Sequence, residues 1–365
     1  MTDKPLLILA AGGTGGHMFP AQALSEEMLK RGWRVKLSTD ARGHRYTGGF
    51  SHAVQVDVIE AATFAQGGKL AKLRVPLKIL RGITQARSGL RADPPAIVVG
   101  FGGYPSLPAM LAAGLVGVPR LLHEQNGIMG RVNTFLAKRI GHVACGTWPT
   151  DLPLGVRGIN IGNPIRQQVF DKVGTPYRSP QTGPLEMLVI GGSQGARILA
   201  ERVPQAIALL PKAIRSRLRV AQQARDEDAE TCGSIYETSG VKYVVSPFFN
   251  DVPERMARAN LVISRSGASS MADISAIGRP SILIPYAAAA GNHQYANAKG
   301  LYEAGGAHLI VERKLTPQRL AARIEEILGN PTRAKKMAAI AAQYGRPNAA
   351  TDLADLVEKL AEGAH

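Results

Sequence analysis

Both halves of the chain contain the same local pattern, in which a short apolar run leads into a glycine-rich loop and then into a segment with helical spacing. In the first half the run is Leu6–Ala10, the glycines lie within 12–16, and helical spacing covers 21–31. In the second half the run 185–190 leads into a glycine loop at 191–195 and a helical segment up to about 210. Strand, turn and helix in this order build parallel sheets. The sequence therefore predicts an α/β fold with two doubly wound parallel sheets.

Further short β-rich runs are separated by segments with helical spacing. They are Val35–Leu37, Val54–Val56, Ala96–Val99, Leu121–Leu122 and His142–Ala144 in the first half, and Lys242–Val245, Leu261–Ile263, Ser281–Ile284 and His308–Val311 in the second. Prolines and glycines gather in the region 151–184, where helical spacing disappears. We predict an N-terminal domain over 1–162, a linker over 163–184, a C-terminal domain over 185–341 and a terminal helical segment over 342–365.

The charge balance and the cysteine content narrow the functional class. Lys plus Arg exceed Asp plus Glu by 44 − 28 = 16, which indicates a polyanionic partner: nucleic acid, an anionic membrane surface or a phosphorylated substrate. The two cysteines, together with an amino-terminal segment that lacks the pattern of an export signal, favour a reducing compartment, with the cytoplasm as the default. The uncharged stretch 94–119 is interrupted by glycines and prolines, so we expect a buried α/β unit there and no membrane span.

Four glycine- or serine-rich turns follow predicted strands. Their sequences are GGTGGH at 12–17, GFGGYP at 100–105, GGSQG at 191–195 and SRSGASS at 264–270. Such turns bring backbone N–H groups and a helix N-terminus close to an anion, although glycine in a single turn is also explained by packing. None is a Walker A loop or has dinucleotide-type spacing. We expect the four turns to face one another across a cleft between the domains and to bind a nucleoside diphosphate.

Several polar residues are candidates for chemistry at these turns. His17 begins a helix beside a phosphate loop, where the helix dipole favours the neutral, basic imidazole; a histidine that only hydrogen-bonds the loop is the alternative. The sequence His123-Glu124-Gln125-Asn126 ends a strand in polar groups, which suggests a site. Arg166 is placed to bind a phosphate, and His293-Gln294 is placed to bind hydroxyl groups. Asp226-Glu227-Asp228 has the acid-x-acid spacing that binds a metal–nucleotide complex in some enzymes. The charged neighbours of these residues favour a solvated helix face, so we predict no metal site there.

A basic segment accounts for much of the charge excess. The range 61–92 contains seven basic residues and no acidic residue, with leucines at helical spacing. This pattern fits a helix that rests on an anionic membrane surface, and it also fits a core-facing helix with a solvated basic face. The predicted membrane contacts are Lys72, Leu73, Leu77, Lys78, Leu80 and Arg81. We do not expect nucleic-acid binding, because aromatic residues are only 5% and no binding signature is present.

Six motifs together resemble the MurG family, the undecaprenyl-diphospho-muramoylpentapeptide β-N-acetylglucosaminyltransferases of bacterial peptidoglycan synthesis. They lie at 12–20, 100–106, 123–127, 162–166, 191–197 and 264–273. The motifs occur in the same order as in the family, and the resemblance extends over nearly the whole chain. The resemblance implies a GT-B fold, two Rossmann-like domains with a C-terminal helix that returns to the first. It also implies an inverting transfer of N-acetylglucosamine from UDP-N-acetylglucosamine to the C4 hydroxyl of the muramoyl unit of lipid I, which gives lipid II, without a cofactor.

The resemblance also assigns site residues. Those that would bind substrate are Thr14, Gly15, Gly16, Tyr104, Asn126, Arg166, Ser193, Gln194, Phe249, Ala268, Ser269, Ser270, Met271, Asp273 and Gln294. Asp273 stands where related members often have glutamate, and His293 stands where some have glutamine, which leaves the role of His293 open. Position makes His17 the first candidate for the base that deprotonates the acceptor and Glu124 the second.

The implied partners are UDP-N-acetylglucosamine, lipid I, an anionic membrane surface and other proteins of cell-wall synthesis. The implied location is peripheral, at the cytoplasmic face of the bacterial inner membrane. A UDP-N-acetylglucosamine 2-epimerase shares this architecture and is the nearest alternative. An NAD-dependent oxidoreductase, with Asp40 as the acid that binds ribose, and a non-enzymatic basic binding module are the others.

Overall fold

The structure, a computed structural model, describes residues 4–59, 75–192 and 195–363. Two compact units account for the chain: residues up to Gln167 together with the segment from Asn348 onward form unit 1, and Gln168–Pro347 form unit 2. The boundary at 167/168 falls within the predicted linker 163–184. The predicted terminal segment starts at 342, whereas the return to unit 1 comes after Pro347, because the preceding helix continues to Tyr344 and ends at Gly345.

Unit 1 contains a seven-stranded parallel sheet with the order β3-β2-β1-β4-β5-β6-β7. The strands are β1 Leu6–Ala10, β2 Arg34–Thr39, β3 Gln55–Val58, β4 Ile97–Gly100, β5 Arg120–Glu124, β6 His142–Cys145 and β7 Arg157–Asn160. The helices are α1 Gly15–Lys30, α2 Val75–Ala92, α3 Leu107–Leu115, α4 Arg131–Ile140 and, at the unit boundary, α5 Gln167–Phe170. Apolar residues of the central strands are buried on both faces, as expected for a parallel sheet between helical layers.

Unit 2 contains a six-stranded parallel sheet with the order β10-β9-β8-β11-β12-β13. The strands are β8 Leu185–Ile190, β9 Leu218–Gln223, β10 Lys242–Ser246, β11 Leu261–Ser264, β12 Ser281–Leu283 and β13 Ala307–Leu309. The helices are α6 Arg197–Ala208, α7 Lys212–Arg215, α8 Asp226–Thr238, α9 Val252–Arg258, α10 Ala268–Ile277, α11 His293–Ala304, α12 Pro317–Leu328 and α13 Pro331–Tyr344. The two predicted doubly wound parallel sheets are thus confirmed, each within its own unit.

The last helix, α14 (Ala349–Glu362), packs against α1 of unit 1, as predicted. Its apolar stripe includes Leu353 and Val357, which are fully buried in the same core as Leu24 of α1. The indole N–H of Trp33 donates to Glu358 at 3.1 Å. The returning helix therefore completes the core of unit 1.

Candidate active site

The order of the strands places the glycine turns at the switch point of each sheet. In unit 1 the order reverses between β1 and β4, and in unit 2 it reverses between β8 and β11. The loops that leave these four strands at their carboxyl ends are the four turns singled out in the sequence. Ligands of open α/β sheets bind outside the carboxyl ends of the strands at such points. Each unit therefore has its own candidate site.

The first turn of unit 1 presents a helix N-terminus and is held by Asp40. The Asp40 Oδ1 atom accepts hydrogen bonds from the backbone N–H groups of Gly13, at 3.2 Å, and Gly43, at 2.8 Å. Thr14, in an extended conformation, precedes α1 and makes no side-chain capping bond, so the N–H groups of Gly15 and Gly16 in the first turn are available to an anion. Because Asp40 supports the loop, this geometry counts against its predicted role as the acid that binds ribose in an oxidoreductase.

His17 lies in the first turn of α1, between two glycine loops. Its Nδ1 atom is 3.0 Å from the carbonyl oxygen of Gly12. Since a carbonyl oxygen only accepts, Nδ1 carries a proton, and in the neutral imidazole the basic lone pair is then on Nε2. Gly103, at φ 76°, is so close that an added Cβ would be 3.2 Å from His17 Cε1. The ring orientation is therefore set from both sides.

Glu124 ends β5, and its carboxylate accepts four hydrogen bonds. Oε1 accepts from the backbone N–H of Asn126 at 3.0 Å and from the Asn126 side chain at 3.1 Å. Oε2 accepts from the N–H of Gly130 at 3.2 Å and from the Asn133 side chain at 2.9 Å. With the side chain buried and both oxygens occupied, Glu124 is suited to hold the loop 124–130 in place. This geometry favours His17 over Glu124 as the base.

His123, the residue before Glu124, is fully buried. Burial lowers the pKa of His123 to about 4, although the hydrogen bond to the Gly162 carbonyl opposes the shift. Nε2 donates to the Gly162 oxygen, at 3.1 Å, so Nδ1 accepts from the Gln125 amide, at 3.2 Å. This network ties the end of β5 to the segment that follows β7.

The other predicted residues of unit 1 lie around the same strand ends. Tyr104 begins a short 3-10 turn, Tyr104–Ser106, after β4 and is half-buried. Gly102 borders the side chain of Asn133, which was not selected from the sequence because no motif distinguishes it within its helix. Arg166 belongs to unit 1, and its guanidinium lies 4.2 Å from the centroid of the Phe19 ring.

In unit 2 the predicted nucleotide segment 268–273 forms the first turns of α10. Ala268, Met271 and Asp273 are buried, whereas Ser269 and Ser270 are half-buried. Among the described residues, the buried hydroxyl oxygens of Ser266 and Ser269 have no hydrogen-bond partner. Two buried hydroxyl groups of this kind at a helix N-terminus suit a polar ligand.

The remaining predicted residues of unit 2 are placed differently. Phe249 is largely buried, and the Arg255 guanidinium covers its ring at 4.4 Å from the centroid. Gln294 lies in the first turn of α11 next to His293, and its side-chain oxygen accepts the backbone N–H of Tyr286 at 2.9 Å. The predicted residues Ser193 and Gln194 lie outside the described residues.

Two other predictions concern surfaces. Asp226, Glu227 and Asp228 begin α8, and Arg225 pairs with Glu227 at 2.9 Å and with Asp228 at 2.7 Å. Such ion pairing is typical of a charged helix start.

Helix α2 carries the described part of the basic segment. Leu77 and Leu80 are 58% and 60% exposed, and Lys78 and Arg81 are exposed beside them, while Leu90 is buried. The predicted contacts Lys72 and Leu73 lie outside the described residues. Over the described ranges, no helix combines the length and the apolar character that crossing a bilayer would require.

Comparison with known proteins identifies the same family in both units. Residues 7–145 match the glycosyltransferase family 28 N-terminal domain, and residues 187–356 match the glycosyltransferase family 28 C-terminal domain. A protein of Chelativorans sp. (strain BNC1) is 47% identical over 98% of this chain and 96% of its own length. A protein of Caulobacter vibrioides is 46% identical over 98% and 99%. Both are named UDP-N-acetylglucosamine–N-acetylmuramyl-(pentapeptide) pyrophosphoryl-undecaprenol N-acetylglucosamine transferase.

Solved structures agree with this assignment. The crystal structure of MurG from Acinetobacter baumannii matches with a TM-score of 0.79 and 28% identity, over 98% of this chain and 99% of that one. A UDP-N-acetylglucosamine 2-epimerase from Listeria monocytogenes matches with a TM-score of 0.66 at 15% identity over 95% of this chain and 94% of that one, a likeness that shows the fold alone. The two transferases are 47% and 46% identical to this chain over nearly its full length, whereas the epimerase is 15% identical. The chain therefore belongs to the MurG family of glycosyltransferases.

Proposed function

We propose that the protein transfers N-acetylglucosamine from UDP-N-acetylglucosamine to the C4 hydroxyl of the muramoyl unit of undecaprenyl-diphospho-muramoylpentapeptide, with inversion at the anomeric carbon. Unit 1 binds the acceptor and unit 2 binds the donor. The supporting observation is the tautomer of His17, whose Nδ1 donates to the Gly12 carbonyl at 3.0 Å. This leaves Nε2 as a base at the start of α1.

The reaction is a single displacement. The oxygen of the acceptor hydroxyl forms a bond to the anomeric carbon while His17 Nε2 takes the proton of that hydroxyl. At the same time the bond from the anomeric carbon to the diphosphate breaks. The leaving diphosphate gains negative charge. The N–H groups at the start of α10 and the Ser269 hydroxyl stabilise this charge, as preorganised donors do in other transferases. Glu124 keeps the loop that carries Asn126 in place.

The first experiment measures transfer of radiolabelled N-acetylglucosamine to a lipid I analogue, with and without EDTA. We expect labelled lipid in both reactions. His17→Ala should lower kcat by a factor of about 10² to 10⁴ while UDP-N-acetylglucosamine still binds. His52→Ala, which removes an exposed histidine of the same unit, is the matched control and should leave kcat unchanged. Near-normal turnover of His17→Ala would overturn the base assignment.

The same experiment tests the epimerase alternative. An epimerase acts on the donor alone, so it would convert UDP-N-acetylglucosamine without an acceptor. A transferase releases UDP in proportion to labelled lipid. Donor binding and epimerisation without any transfer would reject the proposed function.

We further propose that α2 contacts an anionic membrane surface, at the cytoplasmic face of the inner membrane. The exposed Leu77 and Leu80 lie next to the exposed Lys78 and Arg81, a combination suited to insertion of apolar groups between anionic headgroups. Each cation near such a surface contributes about 1 kcal/mol. The double variant Lys78→Glu/Arg81→Glu should bind vesicles containing anionic lipid at least tenfold more weakly. Lys335→Glu/Lys336→Glu, at two exposed lysines of α13 in unit 2, is the control, and undiminished binding of the α2 variant would place the contact elsewhere.

A further inference from the structure

Three side chains from separate elements of unit 2 hold the backbone that follows β12. Arg265, directly after β11, donates to the carbonyl oxygens of Ile284 and Pro285, at 3.2 Å each. Gln294 accepts the N–H of Tyr286 at 2.9 Å, and Glu312 Oε2 accepts the N–H of Ala287 at 2.7 Å. Four successive residues, 284–287, are therefore each fixed by a side chain from outside the turn.

Arg265 and Glu312 also bind each other. The Arg265 guanidinium is 3.2 Å from Glu312 Oε1, and the two side chains are 8% and 19% exposed. The guanidinium additionally lies 5.2 Å from the centroid of the Tyr286 ring. A well-shielded ion pair with further hydrogen bonds is rigid, and removal of one partner leaves the other charge uncompensated. The turn 284–287 is thus fixed by a pair whose members lie 47 residues apart in the chain.

This pair connects the two segments of unit 2 that carry the predicted donor residues. Arg265 directly precedes the segment 266–273, where Ser266 and Ser269 have buried hydroxyl groups. The turn that it holds leads to Gln294. The hydrogen bond from the Tyr286 N–H to the Gln294 side-chain oxygen fixes the orientation of this amide, and with it the direction of the NH₂ group, which is the end that donates. The direction of those donors depends on the position of the turn.

We propose that Arg265 and Glu312 are positioning residues that determine selection of the donor sugar by orienting the amide of Gln294. This inference rests on the proposed function, since it assumes that unit 2 binds a UDP-sugar. Glu312 acts on the turn before α11 through the Ala287 N–H and through Arg265, so its loss should change binding of the sugar more than binding of the nucleotide.

The test compares calorimetric binding of UDP, UDP-N-acetylglucosamine and its C4 epimer UDP-N-acetylgalactosamine to the full chain. The variants are Glu312→Ala, Glu312→Gln and Arg265→Lys. Glu326→Gln is the matched control, because Glu326, like Glu312, forms an ion pair with arginine but, within the described residues, makes no hydrogen bond to the turn 284–287. Its partners are Arg333, at 2.6 Å, and Arg323. Thermal melting of each variant establishes that it is folded, and the conservative Glu312→Gln, which keeps one acceptor oxygen, covers the case in which Glu312→Ala does not fold.

We expect Glu312→Ala to weaken UDP-N-acetylglucosamine binding about tenfold and to reduce its preference over the C4 epimer about fivefold, with UDP binding unchanged within a factor of two. Glu312→Gln and Arg265→Lys should each show a smaller change in the same direction, and Glu326→Gln no change. A folded variant with undiminished sugar preference overturns the positioning role alone, as does an equal loss of UDP affinity. A wild-type protein that binds no UDP-sugar overturns both this inference and the proposed function.

Discussion

Replacement of Glu124 by glutamine separates a structural carboxylate from a catalytic base. Glutamine keeps one acceptor oxygen, which can retain both bonds from Asn126, but its NH₂ group then faces the donors of Gly130 and Asn133. Asn133 can turn its own amide over to accept, but its NH₂ group then loses the hydrogen bond that it donates to the His123 carbonyl at 3.4 Å. The Gly130 N–H also loses its acceptor, so we expect Glu124→Gln to lower the free energy of unfolding by about 1–3 kcal/mol. Glu124→Ala orphans four donors and should lower it by about 4 kcal/mol.

The assay measures unfolding by urea and the pH dependence of kcat for transfer. We expect Glu124→Gln to lower kcat by about tenfold or less and to leave the acidic limb of the pH profile where it is, because we propose His17, and not Glu124, as the proton acceptor. Asp93→Asn is the control. Asp93 pairs with Arg34 and Lys36 of β2, near the amino ends of the strands and away from the glycine turns, so its loss should affect stability and not kcat. A fall of 10² or more in kcat with loss of the acidic limb, in a folded Glu124→Gln protein, would refute the positioning role and make Glu124 the base.

Three further predictions concern unit 1. The pKa of the buried His123 is about 4 in the folded protein against 6.5 in the unfolded chain, so the unfolded state binds more protons between these two pH values. The free energy of unfolding should therefore fall by about 2 kcal/mol from pH 7 to pH 5, as measured by urea titration. In His123→Asn the fall should be much smaller. Gly103→Ala places a Cβ 3.2 Å from His17 Cε1 at φ 76° and should cost about 1–2 kcal/mol and reduce turnover, whereas unchanged kinetics would show that His17 has room to move. Leu353→Ala opens a cavity in the core that α14 shares with α1 and should cost about 2–5 kcal/mol; a melting temperature equal to that of wild type would mean that α14 contributes little to unit 1.

Most of the fold could be predicted because its signals are local. An apolar run followed by glycines marks the strand ends, and both glycine turns of unit 1 occur where the strand order reverses. Two strands gave no such signal. β9 (Leu218–Gln223) ends in two glutamines and is not followed by a glycine turn, and β7 (Arg157–Asn160) is a short edge strand that pairs with β6 and lies in a stretch that resembles a linker. Both depend on pairing with a neighbour for their conformation.

The candidate site was predicted in part for a similar reason. Residue type and position select His17, because a histidine after a glycine loop is recognisable from sequence. The four donors around Glu124 are not recognisable, since nothing in the sequence gives the direction of the Asn133 side chain or of the Gly130 N–H. The pair of Arg265 and Glu312 joins two loops, and only the folded sheet brings them within 3.2 Å. Contacts of this kind decide which polar residues support the site and which react.

The position of α14 has a consequence for synthesis of the protein on the ribosome. Unit 2, over Gln168–Pro347, is complete before α14 emerges, whereas the core of unit 1 still lacks the side chains of Leu353 and Val357. Domains generally fold as they are made, at about 5–20 residues per second. While the second half of the chain is translated, the apolar face of α1 that α14 covers stays exposed, and exposed apolar surface of this kind makes a nascent chain prone to aggregation.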